Sequence, residues 1–184
     1  DLMIVNGSVR TIPALVQVGD PHPLHQPNQL YRNLGEGRFE EVSSQSPTAF
    51  QYSEVSRGAA FGDVDNDGDV DAVVANNAGT VRLLVNRVGQ SSGWFAARLV
   101  GDPSLGGRDL LGSRVSVTTP EGERHWGRSR TDGSYASSND PRISIGLNRI
   151  EDLDAVEVIW PDSRTTRGLE PPASTVLNLP QNGS

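Results

Sequence analysis

The run Asp63-Val64-Asp65-Asn66-Asp67-Gly68-Asp69-Val70-Asp71 constrains this chain more than any other stretch. It places five carboxylates within nine residues. Such crowding without a cation costs strong mutual repulsion. A hard divalent ion with oxygen ligands removes it. The alternation lets Asp63, Asp65 and Asp67 turn toward one centre. Gly68 permits the sharp turn that follows. Asp69 offers a backbone carbonyl and Asp71 closes the site. The expected metal residues are therefore Asp63, Asp65, Asp67, Asp69 and Asp71, and the expected ion is Ca2+. Magnesium fits less well, because it prefers few carboxylates and retained waters.

An EF-hand is the obvious rival. It requires Glu at its twelfth position, which here is Val74, and flanking helices. Residues 71–76 read instead as a strand. A solvated acidic turn or a catalytic carboxylate pair would also bring acidic residues close together. No His or Tyr accompanies the loop to build an acid–base set.

Two segments recur. Residues 1–6 (Asp-Leu-Met-Ile-Val-Asn) match residues 71–76 (Asp-Ala-Val-Val-Ala-Asn), and residues 29–33 (Gln-Leu-Tyr-Arg-Asn) echo 82–86 (Arg-Leu-Leu-Val-Asn). Each echo leads to glycines and an aromatic residue: Gly35, Gly37 and Phe39, then Gly89, Gly93 and Trp94. Asn33 and Asn86 are 53 residues apart. Repeats of this length indicate propeller blades or a related array. By this alignment Asp1 matches Asp71, and is expected to be the last ligand of an earlier loop. The extra length of the first copy lies in residues 11–28, where four prolines predict a long exposed loop.

The pattern changes after residue 88. Strands are expected at 94–100, 113–119, 123–128, 142–146, 155–160 and near 175–179. Val115 and Val117 alternate with polar residues, as do Ile143 and Ile145, and Val156, Val158 and Trp160. Period-two alternation buries one face and wets the other. Turn clusters intervene, including Asp102-Pro103, Gly106-Gly107 and Pro161-Asp162-Ser163. The expected architecture is all-β: partial β-propeller blades with a calcium loop in residues 1–88, then a small antiparallel β-sandwich in residues 89–184.

Composition closes off several classes. The formal charge of −7 disfavours nucleic-acid binding, which needs clustered Lys and Arg. The absence of cysteine excludes disulfides and thiolate zinc sites, and is silent on compartment. No apolar run is long enough to span a membrane as a helix. The chain starts without Met and is expected to be a piece of something longer. A closed propeller needs at least about four blades. Its sheet edges are therefore expected to contact missing blades or another chain.

The residues Arg57-Gly58-Ala59-Ala60-Phe61-Gly62 followed by the Asp run resemble the FG-GAP/VCBS repeats of integrin-like β-propellers. The segment from Gln29 to Phe39 is similar to their outer strands. The second half resembles the ASPIC/UnbV domain. The residues that carry this are Leu111-Gly112-Ser113-Arg114-Val115, the stretch from Gly133 to Leu147 with Tyr135 and Pro141, and Val156-Glu157-Val158-Ile159-Trp160-Pro161. Leu111-Gly112-Ser113 and Trp160-Pro161-Asp162-Ser163 depart mildly from the family's Ile-Gly-Ala and Trp-Pro-Ser-Gly. The pairing is typical of cartilage acidic protein-like proteins. It implies an extracellular or periplasmic protein with no established enzymatic activity.

The leading expectation is a non-enzymatic, calcium-stabilised interaction or adhesion module with an unknown protein or glycan partner. Its rivals are a carbohydrate-binding accessory domain of a larger exported enzyme, and a calcium-dependent hydrolase. Arg124, His125, Trp126, Arg128 and Arg130 form a basic, aromatic cluster. It is either a site for an anionic glycan or acidic partner, or an exposed hairpin whose Trp126 caps the sandwich. His22 and His25 lack a third ligand nearby in sequence. Ser134, Ser137 and Ser138 lack a His base. Asn6-Gly7-Ser8 and Asn182-Gly183-Ser184 match a glycosylation pattern.

Overall fold

The structure, a computed structural model, describes residues 1–88, 92–102, 106–147, 153–169 and 174–181. Gly89, Pro103 and Asn182 lie outside the described residues. Among the described residues strand accounts for 45% and helix for 7%, so the expected all-β class holds. The chain divides into two compact units. One comprises Asp1–Ala60, Ala72–Leu84 and Ser134–Ser137, the other Phe61–Asp71, Val85–Gly133 and Ser138–Ser184.

The first unit begins with β1 (Leu2–Ile4), helix α1 (Pro13–Gln17), β2 (Gln26–Pro27), β3 (Gln29–Gly35) and β4 (Arg38–Glu41). A 3₁₀ turn (Ser43–Gln45), α2 (Pro47–Phe50), β5 (Ser53–Glu54), β6 (Ser56–Gly62), β7 (Asp71–Asn76) and β8 (Arg82–Leu84) follow. The last residues of β6 and the first of β7 belong to the second unit. The sheets run β1–β3–β4, β2–β5 and β6–β7–β8. The stretch 11–28 is not all loop as expected. Pro13 at the first helical turn has its φ preset and no amide to satisfy, so α1 starts there.

The repeat is structural as well as sequential. Leu2 pairs with Tyr31, Met3 with Leu30 and Ile4 with Gln29. Ala72 pairs with Leu84, Val73 with Leu83 and Val74 with Arg82. These are the positions that the sequence alignment equates. The side chains agree too. Asn6 Nδ2 donates to the Pro27 carbonyl at 3.0 Å, and Asn76 Nδ2 to the Thr80 carbonyl at 2.7 Å. The Asn6 amide of the glycosylation pattern is thus hydrogen-bonded to the Pro27 carbonyl and to Gln29 Oε1.

The second unit holds β9 (Gly93–Val100), β10 (Arg114–Thr118), β11 (Arg124–Arg128), β12 (Ile143–Leu147), β13 (Ala155–Ile159), β14 (Thr165–Leu169) and β15 (Thr175–Pro180). One sheet runs β11–β10–β13–β14 and the other β12–β9–β15. Phe95, Ala97 and Leu99 of β9 and Ile143, Ile145 and Leu147 of β12 meet Val115, Val117, Val156 and Val158 in one shared core. The alternating apolar residues supply this core because successive strand side chains point to opposite faces. Trp160 closes it, 5% exposed, with Nε1 donating to Thr166 Oγ1 at 2.9 Å. A buried indole needs such a partner.

Two expectations are corrected here. The second half is not purely antiparallel: β15 runs parallel to β9, Thr175 opposite Phe95 and Pro180 opposite Val100. The long intervening chain imposes no hairpin on this pair, and parallel pairing needs a long crossover. Nor does Trp126 cap the core, being 71% exposed. On β11 the inward side is carried by His125 and Gly127; a Cβ on Gly127 would lie 2.4 Å from Ile143 Cγ2. Strand β14 was not foreseen. Its sequence, Thr-Thr-Arg-Gly-Leu, alternates too weakly to read as a strand alone. Pairing with β13 across the turn at Pro161-Asp162-Ser163 forms it.

Candidate metal centre

Strand β6 delivers the chain into the acidic loop and β7 leads it out, so strands flank the site and the EF-hand reading is removed. Asp63 and Asp71 are buried, 4% and 1% exposed, while Asp65 is exposed. Carboxylate oxygens of Asp63, Asp65 and Asp71 lie within 4.8 Å of one another. Oxygens on opposite sides of a calcium ion, each at about 2.3–2.6 Å, stand roughly 4.6–5.2 Å apart. The spacing of the three residues is of the order that oxygen ligands of one cation require. The carboxylates of Asp67 and Asp69 are not in this group, and Asp67 Oδ1 accepts the Asp69 N–H at 2.9 Å; the expected Asp69 ligand is its backbone carbonyl, to which the grouping of carboxylates does not speak.

The backbone holds the buried pair in place. Asp63 accepts the N–H groups of Asp67 at 3.2 Å and Gly68 at 3.0 Å. Asp71 Oδ2 accepts Val64 N–H at 2.9 Å, and its Oδ1 accepts Asn86 N–H at 2.8 Å. Each carboxylate has about four lone-pair positions, so these bonds leave capacity for a cation. The turn needs Asn66 at φ 60° and Gly68 at φ 96°. Asn tolerates that region and Gly adopts it freely. Desolvation, then the charges of Asp67 and Asp71, raise the Asp65 carboxyl above its ordinary pKa. Excess negative charge of this kind is what a bound cation neutralises.

The sequence did not reveal what packs against the loop. Arg142 donates through Nη2 to the Asp63 carbonyl and through Nη1 to Asn66 Oδ1 at 2.7 Å. Its Nε holds Asp140 Oδ2 at 2.6 Å. Asn139 Oδ1 accepts Phe61 N–H at 3.0 Å, and Asp140 N–H donates to the Phe61 carbonyl at 2.9 Å. Gly68 lies against Trp94: an added Cβ would come within 2.2 Å of the indole ring. The only sequence signal was the polar turn Asn139-Asp140-Pro141-Arg142 inside a family motif.

Other candidates are placed elsewhere. His22 and His25 stack at 4.5 Å, and His25 Nδ1 lies 2.7 Å from the Ser53 carbonyl. Among the described residues, the group of Asp63, Asp65 and Asp71 is the one assembly of three metal-ligating residues. Ser137 Oγ accepts Ala59 N–H at 2.9 Å and donates to the Tyr135 carbonyl, a structural role. Asp1 Oδ1 accepts Asn33 N–H at 2.8 Å.

Fold and site define an all-β protein in which a tandem repeat carries an acidic, strand-flanked loop and leads into a two-sheet domain. Residues 15–74 match the FG-GAP-like repeat family, and residues 104–184 match the ASPIC and UnbV family. The chain carries an FG-GAP-like repeat followed by an ASPIC/UnbV domain. No curated protein matches it. Among the described residues, no helix is long and apolar enough to cross a membrane.

Proposed function

We propose that this chain is a non-enzymatic, calcium-stabilised interaction module of an extracellular or periplasmic protein. Residues 1–88 carry the repeat and 89–184 the second domain. The observation that carries the reading is the convergence of Asp63, Asp65 and Asp71, whose carboxylate oxygens lie within 4.8 Å of one another. These three carboxylates would hold the ion, with Asp67 and Asp69 completing the acidic surround. Calcium would neutralise the cluster and fix the turn that Arg142 and Trp94 brace. Its role is structural: among the described residues, Arg142 beside the loop is taken up by Asp140, Asn66 and the Asp63 carbonyl. The FG-GAP-like repeat and the ASPIC/UnbV domain support the interaction role and the location.

Thermal unfolding with calcium and with a chelator tests this. Ion at a hundred times its dissociation constant stabilises the fold by about 2.7 kcal/mol. The expected result is a lower melting temperature in chelator, restored by calcium. Identical melts, with no ion retained by elemental analysis, would overturn it.

A further inference from the structure

The outer face of the sheet β11–β10–β13–β14 collects chemistry that the metal loop does not use. Strand register sets its rows. Arg128 stands opposite Arg114, which stands opposite Ile159. The next row is Trp126, Ser116 and Glu157, and the next Arg124, Thr118 and Ala155. All of these point away from the core, because Val115, Val117, Val156 and Val158 take the inward positions.

Like charges directly opposite on neighbouring strands destabilise a sheet. Arg114 and Arg128 are such a pair. Arg128 approaches Asp132 only at 3.9 Å, and Arg114 has no ion pair among the described residues. Arg124 and Arg167 share the carboxylate of Glu157, each at 2.8 Å. Four arginines against Glu157, Asp132 and Glu123 leave this face at +1 in a chain whose net charge is −7. Beside the Arg114–Arg128 pair lies the Trp126 ring, 71% exposed, with the Ser116 hydroxyl on the adjacent strand. Ser116, Thr118, Arg124 and Glu157 also line a shallow groove.

We propose that this face binds a carboxylate-bearing polysaccharide, with a sugar ring on Trp126 and a uronate carboxylate held by Arg114 and Arg128. The proposal rests on the interaction-module reading and names its ligand class. A flat, exposed indole offers a stacking platform, and neighbouring hydroxyls and guanidinium groups match a sugar's hydroxyls and acid group. The arginine fork fits a carboxylate in two-point fashion. Glu157, Asp132 and Glu123 lie on or beside the face, so only modest negative charge density is accommodated. That favours one carboxylate per sugar over dense sulfation.

Oligogalacturonate titrated into the calcium-loaded protein tests this by calorimetry, with heparin, a neutral dextran and poly-glutamate as comparisons. The expected order places oligogalacturonate tightest, with affinity falling as salt rises. Trp126→Ala weakens it by about thirtyfold, the loss typical of a tryptophan hot spot, while Trp126→Phe retains most of the affinity. Arg114→Ala with Arg128→Ala weakens binding and flattens the salt dependence. All three side chains are exposed; the Trp126 variants are to melt like the wild type, and the arginine double variant no lower, since it removes a like-charge pair. No binding to oligogalacturonate overturns the proposal. So does equal binding by Trp126→Ala, or tighter binding of heparin or poly-glutamate. Absent glycan binding with a persistent calcium shift in melting refutes this surface alone; glycan binding without that shift refutes the calcium loop alone.

Discussion

Asp71 Oδ1 accepts the backbone N–H of Asn86 at 2.8 Å, and Asp1 Oδ1 accepts that of Asn33 at the same distance. Each Asn in turn accepts the N–H two residues on, Asn33 from Gly35 and Asn86 from Val88. One carboxylate at the head of a strand thus fixes the exit of the neighbouring strand in both repeats. In the second repeat the same carboxylate also belongs to the acidic cluster with Asp63 and Asp65.

Replacing Asp71 should therefore hurt twice. Asp71→Ala leaves the N–H groups of Val64 and Asn86 without their acceptor. Each bond to a charged group is worth about 1.5–3 kcal/mol. Asp71→Asn keeps one acceptor oxygen and is expected to lose less. Urea unfolding of both variants, with and without calcium, measures this. The calcium-dependent part of the stability should vanish in each; its survival in Asp71→Ala would count against the site.

Gly68 is constrained by backbone and by neighbour. A Cβ at φ 96° meets the left-handed penalty of about 1–2 kcal/mol. The collision with the Trp94 ring adds about 1–3 kcal/mol. In a double-mutant cycle, Trp94→Leu should recover the second part of the Gly68→Ala loss and not the first. Additive losses would show that the ring does not press on the turn.

Arg142 braces the loop through the Asp63 carbonyl and Asn66 Oδ1, not through the carboxylates of the acidic cluster. Arg142→Lys supplies one ammonium where the guanidinium reaches Asp63, Asn66 and Asp140 together. The expected cost is about 1.5–3 kcal/mol without metal. Faster hydrogen exchange at the amides of residues 64–68 is the measurement. Unchanged exchange there would remove Arg142 from this role.

Glu54 supplies the pH dependence. The hydrogen bond from Arg82 holds its carboxyl below the ordinary value of 4.5, outweighing desolvation. The pair measures 2.7 Å, and Arg82 also lies over the Tyr52 ring at 4.1 Å. A depressed folded-state pKa stabilises the fold above the unfolded value and is lost as pH falls through the folded one. Wild type should therefore lose more stability than Glu54→Gln as the pH drops below about 4.5. Parallel stability curves for the two proteins would show no such contribution.

Much of the architecture was readable in advance for a local reason. The alternation in Arg114–Thr118, Ile143–Leu147 and Ala155–Ile159 records which face is buried, and burial is set residue by residue. The repeat alignment equated the two copies, and the structure pairs Leu2 with Tyr31 and Ala72 with Leu84 at the equated positions. Strand β14 was missed because Thr165–Leu169 has little hydrophobic pattern of its own. Trp126 was open to two readings, because a strand's pattern does not state which face a single aromatic occupies.

The sequence by itself determined the acidic loop, its strand-like exit and the change of strand pattern near residue 88, all of which depend on near neighbours. Tertiary structure alone decided that the carboxylates of Asp63, Asp65 and Asp71 converge. It alone brought Arg142 and Trp94 to the loop, and set β15 parallel to β9. These contacts join residues far apart in the chain, and their partners are chosen by packing and by the geometry of the whole sheet. No local pattern in the sequence encodes that choice.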